Sequence, residues 1–261
     1  PRSGLLLLGH DSPDAVALRG VAVSPVETFG TADGATWQAC EIEHEDGITS
    51  FRLRHGGELV GRFQSPLLGM HNVRNAVAAV AAASRAGVPV SDLIAGLRAF
   101  RGVKRRLETV GVCQGVTVMD DFAHHPTAVH ETLTALRTGY PSRRIWAVFE
   151  PRSASSCRRV FQDDFARAFG SADEVVVAGV FRSSLPETER LSEDRLVADL
   201  RSRGQRARFI PEVDEIVRTI AAEHRTGDIV VLMSNGGFGG IHQKLLQALD
   251  AVDRPRGTEA R

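Results

Sequence analysis

The chain has 261 residues, 43% hydrophobic and 25% charged, which suits a soluble globular protein of one large or two smaller domains. Lysine plus arginine and aspartate plus glutamate both number 32, so no overall field favours nucleic acid or a membrane surface; local phosphate recognition needs only a few placed cations. Three well-separated cysteines, Cys40, Cys113 and Cys157, form neither a disulfide framework nor a metal-ligand pattern, and they fit a reducing, cytoplasmic setting.

The start, Pro1-Arg2-Ser3-Gly4, has no initiating methionine and no signal-peptide pattern, so the chain reads as cut from something longer. Apolar runs such as Leu5 to Leu8 and Ala76 to Ala83 are too short to span a bilayer. Partial alternation at Trp37 to Ile42, Ile48 to Leu53 and Leu59 to Phe63, with turn residues between, predicts two or three short antiparallel strands. An Ala-rich helix follows from about His71 to Arg85, ended by Gly87 and Pro89. A shorter helix is expected over Asp92 to Phe100, with Ser91 as its N-cap.

The texture changes near Phe100, and Phe100 to Val103 is the expected boundary between residues 1–100 and 101–253. Strands are predicted at Val116 to Asp120, Arg144 to Phe149, Glu174 to Ala178, Arg206 to Ile210 and Asp228 to Met233. Helices are predicted at Pro126 to Leu136, Arg158 to Phe169, Glu193 to Arg203, Glu212 to His224 and Ile241 to Leu249. This alternation predicts an α/β fold with a mostly parallel sheet and helices on both faces. Residues 254–261 are polar, with Pro and Gly, and are expected to form a flexible tail.

Five segments could carry chemistry. In Gly69 to Asn75, Asn72 and Asn75 share one helix face and could offer amide donors and acceptors to a planar ligand such as a nucleobase; alternatively one caps the helix. Lys104-Arg105-Arg106 suits a polyphosphate or is a solvated basic run. Asp120-Asp121-Phe122-Ala123-His124-His125-Pro126-Thr127 ends a strand and starts a helix, the position where open α/β sheets bind ligands. Either aspartate could hold ribose hydroxyls or orient a magnesium-bound group, and the histidines could stack or hydrogen-bond. Zinc would want three or more ligands, and no cysteine lies nearby, so no metal ligand is assigned. Glu150-Pro151-Arg152-Ser153 is a second strand end, where Arg152 could clamp a substrate carboxylate and the serines could cap a helix. Ser234-Asn235-Gly236-Gly237-Phe238-Gly239-Gly240 allows close backbone approach to a ligand or is a tight turn. No G-x-x-x-x-G-K-[ST] or G-x-S-x-G occurs.

In order, these motifs resemble the Mur ligases, ATP-dependent amide-forming enzymes of bacterial cell-wall synthesis. The likeness rests on G-x-H-N-V-x-N-A, G-V-K-R-R-L-E, D-D-F-A-H-H-P-T-A, E-P-R-S and S-N-G-G-F-G-G-I-H-Q-K-L. It implies that residues 1–100 are the end of a central ATPase domain, and 101–253 a Rossmann-like C-terminal domain. It also places a phosphate loop and the main magnesium ligands upstream of Pro1, and a chain without them is not expected to turn over. ATP and Mg2+ are the implied cofactors, with the nucleotide between domains. Asn72 and Asn75 resemble residues near the ATP base, and Asp121 the ribose holder, with His124 and His125 along the same edge. Arg106 resembles the catalytic arginine that reaches the ATP phosphates. Arg152, Ser153 and Asn235 are the implied substrate contacts. The implied substrates are UDP-N-acetylmuramate and an amino component. The loop from Ser234 to Lys244 favours members that take the tripeptide L-alanyl-γ-D-glutamyl-meso-diaminopimelate over those that take L-alanine. A non-catalytic nucleotide- or peptide-binding module is the competing class.

Overall fold

A computed structural model describes residues 2–45, 47–181 and 185–252. The expected tail at 254–261 lies outside the described residues. The chain divides after Gly102 into two compact units.

The first unit holds β1 (Leu6–Gly9), α1 (Pro13–Ala17), β2 (Val26–Gly30), β3 (Trp37–Glu45), β4 (Ile48–His55), β5 (Glu58–Ser65), α2 (Met70–Arg85) and α3 (Val90–Ala99). Its sheet runs β1-β2-β3-β4-β5, with β1, β2 and β3 parallel and β3, β4 and β5 antiparallel. The antiparallel strands are those read from alternation; β1 and β2 are additional. One face of α2 presents Val73, Val77, Val80 and Ala81 to Trp37, Phe51, Leu53 and Phe63 of the sheet. That spacing is the 3.6-residue stripe of a core-facing helix. The helix expected from Asp92 begins earlier, because Pro89 is its N-cap and its carbonyl accepts from Asp92 N and Leu93 N. Ser91 is therefore inside the first turn, and its hydroxyl meets Asp92 Oδ1 at 3.3 Å instead of capping.

The second unit holds β6 (Glu108–Cys113), β7 (Val116–Asp121), α4 (Pro126–Gly139), β8 (Ile145–Phe149), α5 (Gln162–Ala168), β9 (Glu174–Val177), α6 (Glu193–Ser202), β10 (Arg206–Phe209), α7 (Val213–Glu223), β11 (Ile229–Met233) and α8 (Ile241–Val252). The mixed α/β architecture read from the sequence is present. The sheet order is β10-β9-β8-β11-β7-β6, parallel throughout except for the β6–β7 hairpin. The helix expected over Arg158 to Phe169 is shorter: a 3-10 turn at Arg159–Phe161 leads into α5.

Strand residues alternate between two cores. Ile145, Ala147 and Phe149 face one side with Ile229, Val231 and Met233, where Leu133 of α4, Phe165 of α5 and Leu200 of α6 cover them. Trp146, Val148, Val230 and Leu232 face the other, under Ile220 of α7 and Leu245 and Leu249 of α8. Both faces are covered, so β8 and β11 are apolar at every position. Each parallel crossover has one available hand, so the strands laid from β7 to β10 send α4, α5 and α6 to one face; the reversed step from β10 to β11 sends α7 to the other.

At the amino ends of these strands, buried Asp228 accepts two guanidinium bonds from Arg144, at 3.1 and 2.6 Å, and one from Trp146 Nε1 at 3.1 Å. Burial alone would raise its pKa, but Arg144, the Arg225 amide and the Trp146 N–H together hold it below the ordinary value. Among the described residues, no helix is long and apolar enough to cross a membrane.

Candidate functional site

The connections leaving β7 and β8 go to one face, and the connection leaving β11 goes to the other. Because β11 lies between β7 and β8, both of its borders are switch points of the sheet. Open α/β sheets bind ligands in the crevice that such a switch point leaves at the carboxyl ends of the strands. Three segments meet at it: Asp120 and Asp121 ending β7, Glu150 to Ser153 after β8, and Ser234 to Gly236 after β11.

Asp121 is buried, and its carboxylate organises the β7 end. Oδ2 accepts from the Leu107 amide at 2.8 Å; Oδ1 accepts from the Ala123 amide at 2.8 Å and from Thr132 Oγ1 at 3.1 Å. Burial raises its pKa; those donors and the charge of Arg106 oppose the rise without cancelling it. Asp120 sits nearer the surface. Its pKa is lowered: burial would raise it, but His242 and Arg105 outweigh that. His242 Nε2 lies 3.1 Å from Asp120 Oδ1, off the line of a good hydrogen bond.

Arg105, read in the sequence as part of a basic run suited to a polyphosphate or solvated, is instead built into the fold. Its backbone has φ +61°, and Leu107 has φ +49°, both in the left-handed region that costs a non-glycine residue about 1–3 kcal/mol. Bonds to the sheet hold that conformation: Phe122 N donates to Arg105 O at 2.8 Å, and Arg105 N donates to Glu108 Oε2 at 2.8 Å. The Arg105 guanidinium donates to Asp120 at 3.2 Å, to Ser234 O at 2.6 Å and to Gly236 O at 2.8 Å. It therefore ties the β7 end to the glycine loop. Arg106 is exposed, with its guanidinium 5.6 Å from the Phe122 ring centre. Of two adjacent arginines, one is built into the fold and the other is presented to solvent.

His125 caps α4: its Nδ1 accepts from Thr127 N at 3.4 Å, and Pro126 fills the first helical position. His124 Nδ1 meets Phe122 O at 2.7 Å. Among the described residues, no group of three or more His, Cys, Asp or Glu could hold a metal ion.

At the β8 end, Ser156 Oγ accepts from the amides of Arg152 (3.0 Å) and Ser153 (2.9 Å), and Ser153 Oγ accepts from Ser156 N at 2.9 Å. Ser153 is thus a turn-former, buried beneath the loop. Arg152 points into the crevice: its Nη1 is 3.6 Å from Glu150 Oε1, and its guanidinium carbon is 3.5 Å from the Phe181 ring centre. Among the described residues its guanidinium N–H groups make no hydrogen bond, so they are available to an anion. Ser234 Oγ donates to Glu150 Oε2 and accepts from Gly236 N at 2.9 Å. Among the described residues, buried Asn235 Oδ1 has no hydrogen-bond partner, an arrangement usually resolved by water or a ligand.

Asn72 and Asn75 belong to the first unit. Neither caps α2, whose N-cap is Gly69. Asn72 Nδ2 donates to Leu68 O at 2.8 Å, Asn75 Nδ2 reaches Asn72 Oδ1 at 3.5 Å, and Asn75 is exposed. A second anchor lies behind this face: Arg74 Nε donates to Asp11 Oδ2 at 3.0 Å, and Asp11 also accepts from the amides of Thr31 and Ala32.

A mostly parallel sheet wound on both faces, with polar strand ends gathered at its switch points, defines a ligand-binding α/β domain. Residues 105–236 match the family "Mur ligase, glutamate ligase domain", and residues 1–83 match "Mur ligase middle domain". The chain belongs to the Mur ligase family. It is 38% identical over 251 residues to a UDP-N-acetylmuramate--L-alanyl-gamma-D-glutamyl-meso-2,6-diaminoheptandioate ligase of Haemophilus influenzae, covering 95% of this chain and 52% of that protein. It is 35% identical over 248 residues to a UDP-N-acetylmuramate--L-alanine ligase of Desulfitobacterium hafniense, covering 94% of this chain and 54% of that one. A solved murein peptide ligase from Psychrobacter arcticus superposes with a TM-score of 0.68 at 31% identity, over 96% of this chain and 52% of that chain. The chain thus spans about half the length of these relatives.

Proposed function

We propose that this chain is the catalytic-domain portion of a cytoplasmic, ATP-dependent ligase of peptidoglycan recycling. It would join UDP-N-acetylmuramate to L-alanyl-γ-D-glutamyl-meso-diaminopimelate through an acyl-phosphate. Residues 1–100 correspond in this reading to part of a central ATPase domain, and 101–253 to the C-terminal domain. The observation that carries the reading is Arg152, a cation whose guanidinium makes no hydrogen bond among the described residues and lies 3.6 Å from the Glu150 carboxylate at a switch point. A cation beside an anion suits a substrate with both carboxylate and ammonium groups, as an amino acid or peptide has. Both kinds of relative match at similar identity, 38% and 35%, so the preference for the tripeptide over L-alanine rests on the loop from Ser234 to Lys244.

The residues present fit a nucleotide in part. Asn72 and Asn75 offer an amide pair for a base, and Arg106 is an exposed cation for phosphates. Among the described residues, Oδ2 of Asp121 accepts one hydrogen bond, which leaves a lone pair for a ribose hydroxyl; His124 and His125 follow on the same strand end. They do not fit magnesium by themselves, since Asp121 is saturated on Oδ1 and Asp120 faces Arg105 and His242. Bound ATP would supply the phosphoryl group that activates the lactyl carboxylate. Arg106 would offset the negative charge that develops on it. Arg152, with Ser153 shaping its turn and Asn235 beside it, would hold the amino substrate.

The test is ADP release by the full-length protein with UDP-N-acetylmuramate and either the tripeptide or L-alanine. Release dependent on the tripeptide supports the proposal. Release with L-alanine alone reassigns the protein as an L-alanine ligase, and release with neither, alongside tight peptide binding, favours a binding module.

A further inference from the structure

We infer that Gly236 is the residue that sets the position of Arg152, and through it the affinity for the carboxylate of the amino substrate. This rests on Arg152 being a substrate contact, as proposed above. The observation is steric. A Cβ built on Gly236 would lie 2.1 Å from Arg152 Nε, 2.2 Å from its Cδ and 2.6 Å from its Cζ. The guanidinium lies against that bare backbone, and its carbon sits 3.5 Å from the Phe181 ring centre. A side chain at residue 236 would take the space that Arg152 occupies.

The backbone does not demand glycine there. Gly239 and Gly240 have φ of +57° and +72°, where a side chain would be strained, whereas Gly236 is outside the left-handed region. Glycine at 236 is therefore explained by Arg152 and not by the turn. The loop is also fixed from behind: Gly236 O accepts from Arg105 at 2.8 Å, and Gly236 N donates to Ser234 Oγ at 2.9 Å. The wall against which Arg152 rests cannot easily withdraw. Phe181 is itself tied down, its amide donating to Pro151 O at 3.0 Å. Among the described residues, Arg152 keeps its position without spending its guanidinium N–H groups on hydrogen-bond acceptors, so a carboxylate meets a cation already oriented.

Gly237 supplies the control. It is the next residue, has φ −80°, and a Cβ there meets nothing within 4 Å. In the full-length ligase, Gly236→Ala is expected to raise KM for the tripeptide about tenfold or more, the loss of one oriented charge-assisted contact. KM for ATP and the thermal unfolding midpoint should stay at the wild-type values, because the displaced group is the end of a flexible side chain. Gly237→Ala should change none of these. An unchanged tripeptide KM in Gly236→Ala, or an equal rise in Gly237→Ala, overturns the inference. Arg152→Ala separates the two levels. If it leaves the tripeptide KM unchanged, the reading of Arg152 as a substrate contact is wrong; if it raises KM while Gly236→Ala does not, only the role of Gly236 fails.

Discussion

Arg105 bonds to the carbonyl oxygen of Ser234, 2.6 Å away in space and 129 residues away in sequence. The same nitrogen reaches Gly236 O, and Nε reaches Asp120. One side chain thus fastens the end of β7 to the loop after β11. Arg105→Met keeps much of the volume and removes the donors. It is expected to destabilise the second unit by about 2 kcal/mol, the scale of hydrogen bonds made by a charged group. Urea unfolding followed by Trp146 fluorescence reads the loss.

Arg106 should behave in the opposite way. Being exposed, Arg106→Ala is expected to shift unfolding free energy by no more than about 0.5 kcal/mol. Ligase turnover in the full-length protein should fall about a hundredfold or more, as for removal of one positive group from a phosphoryl-transfer site. A variant that keeps its turnover would remove Arg106 from the proposed machinery.

How far this division could be read from the sequence is clear at these two arginines. Their side chains are identical, and the resemblance marked Arg106 for the ligand. Nothing in the local pattern marked Arg105 for the fold, because its direction follows from a left-handed φ and from acceptors more than a hundred residues away. The buried strands β8 and β11 were legible within Arg144 to Phe149 and Asp228 to Met233, and α4 as the helix that Pro126 starts, whereas the His125 cap was not read. β2, Val-Glu-Thr-Phe-Gly, offered too little apolar pattern. β6 is an edge strand whose Val110 and Val112 are exposed and whose Gly111 packs against Leu246. The α3 start went to Ser91 by capping preference, while a proline carbonyl two residues earlier took the amides.

Acid should act on two buried carboxylates in opposite senses. Asp228 has a folded pKa below its unfolded value. Its contribution is full above the unfolded pKa and is lost as pH falls through the folded one. Asp121 has a folded pKa above its unfolded value. Between the two, the folded state keeps a proton that the unfolded state has released, so stability falls there as pH rises. Asp228→Asn is expected to cost about 1–3 kcal/mol at neutral pH by removing the charge partner of Arg144, which keeps Glu174 at 3.8 Å and the Glu223 carbonyl, and to flatten the loss of stability in acid. Asp121→Asn should instead remove the opposing slope. Unfolding midpoints between pH 3 and 7 distinguish the two variants.

Asp11 offers a test within the first unit. Burial would raise its pKa, but the Thr31 and Ala32 amides and Arg74 hold it lower. Asp11→Ala strands those donors and frees Arg74 from the β1–β2 ends. A loss of about 1–3 kcal/mol is expected, with faster amide exchange at the start of α2. Weaker nucleotide binding should follow if Asn72 and Asn75 contact the base. Unchanged exchange at Asn72 would show that α2 does not depend on this anchor.

Among the described strands of the second sheet, the last in sequence, β11, lies near the middle. Until Ile229–Met233 emerges, β7 and β8 have no shared neighbour, because their final places are one strand apart. The nascent domain therefore carries the aspartates of one strand end and the arginine of the next without the element that sets their spacing. Completion of this sheet and the final spacing of the β7 and β8 ends are therefore one event, set by the pairing of β11 with both neighbours.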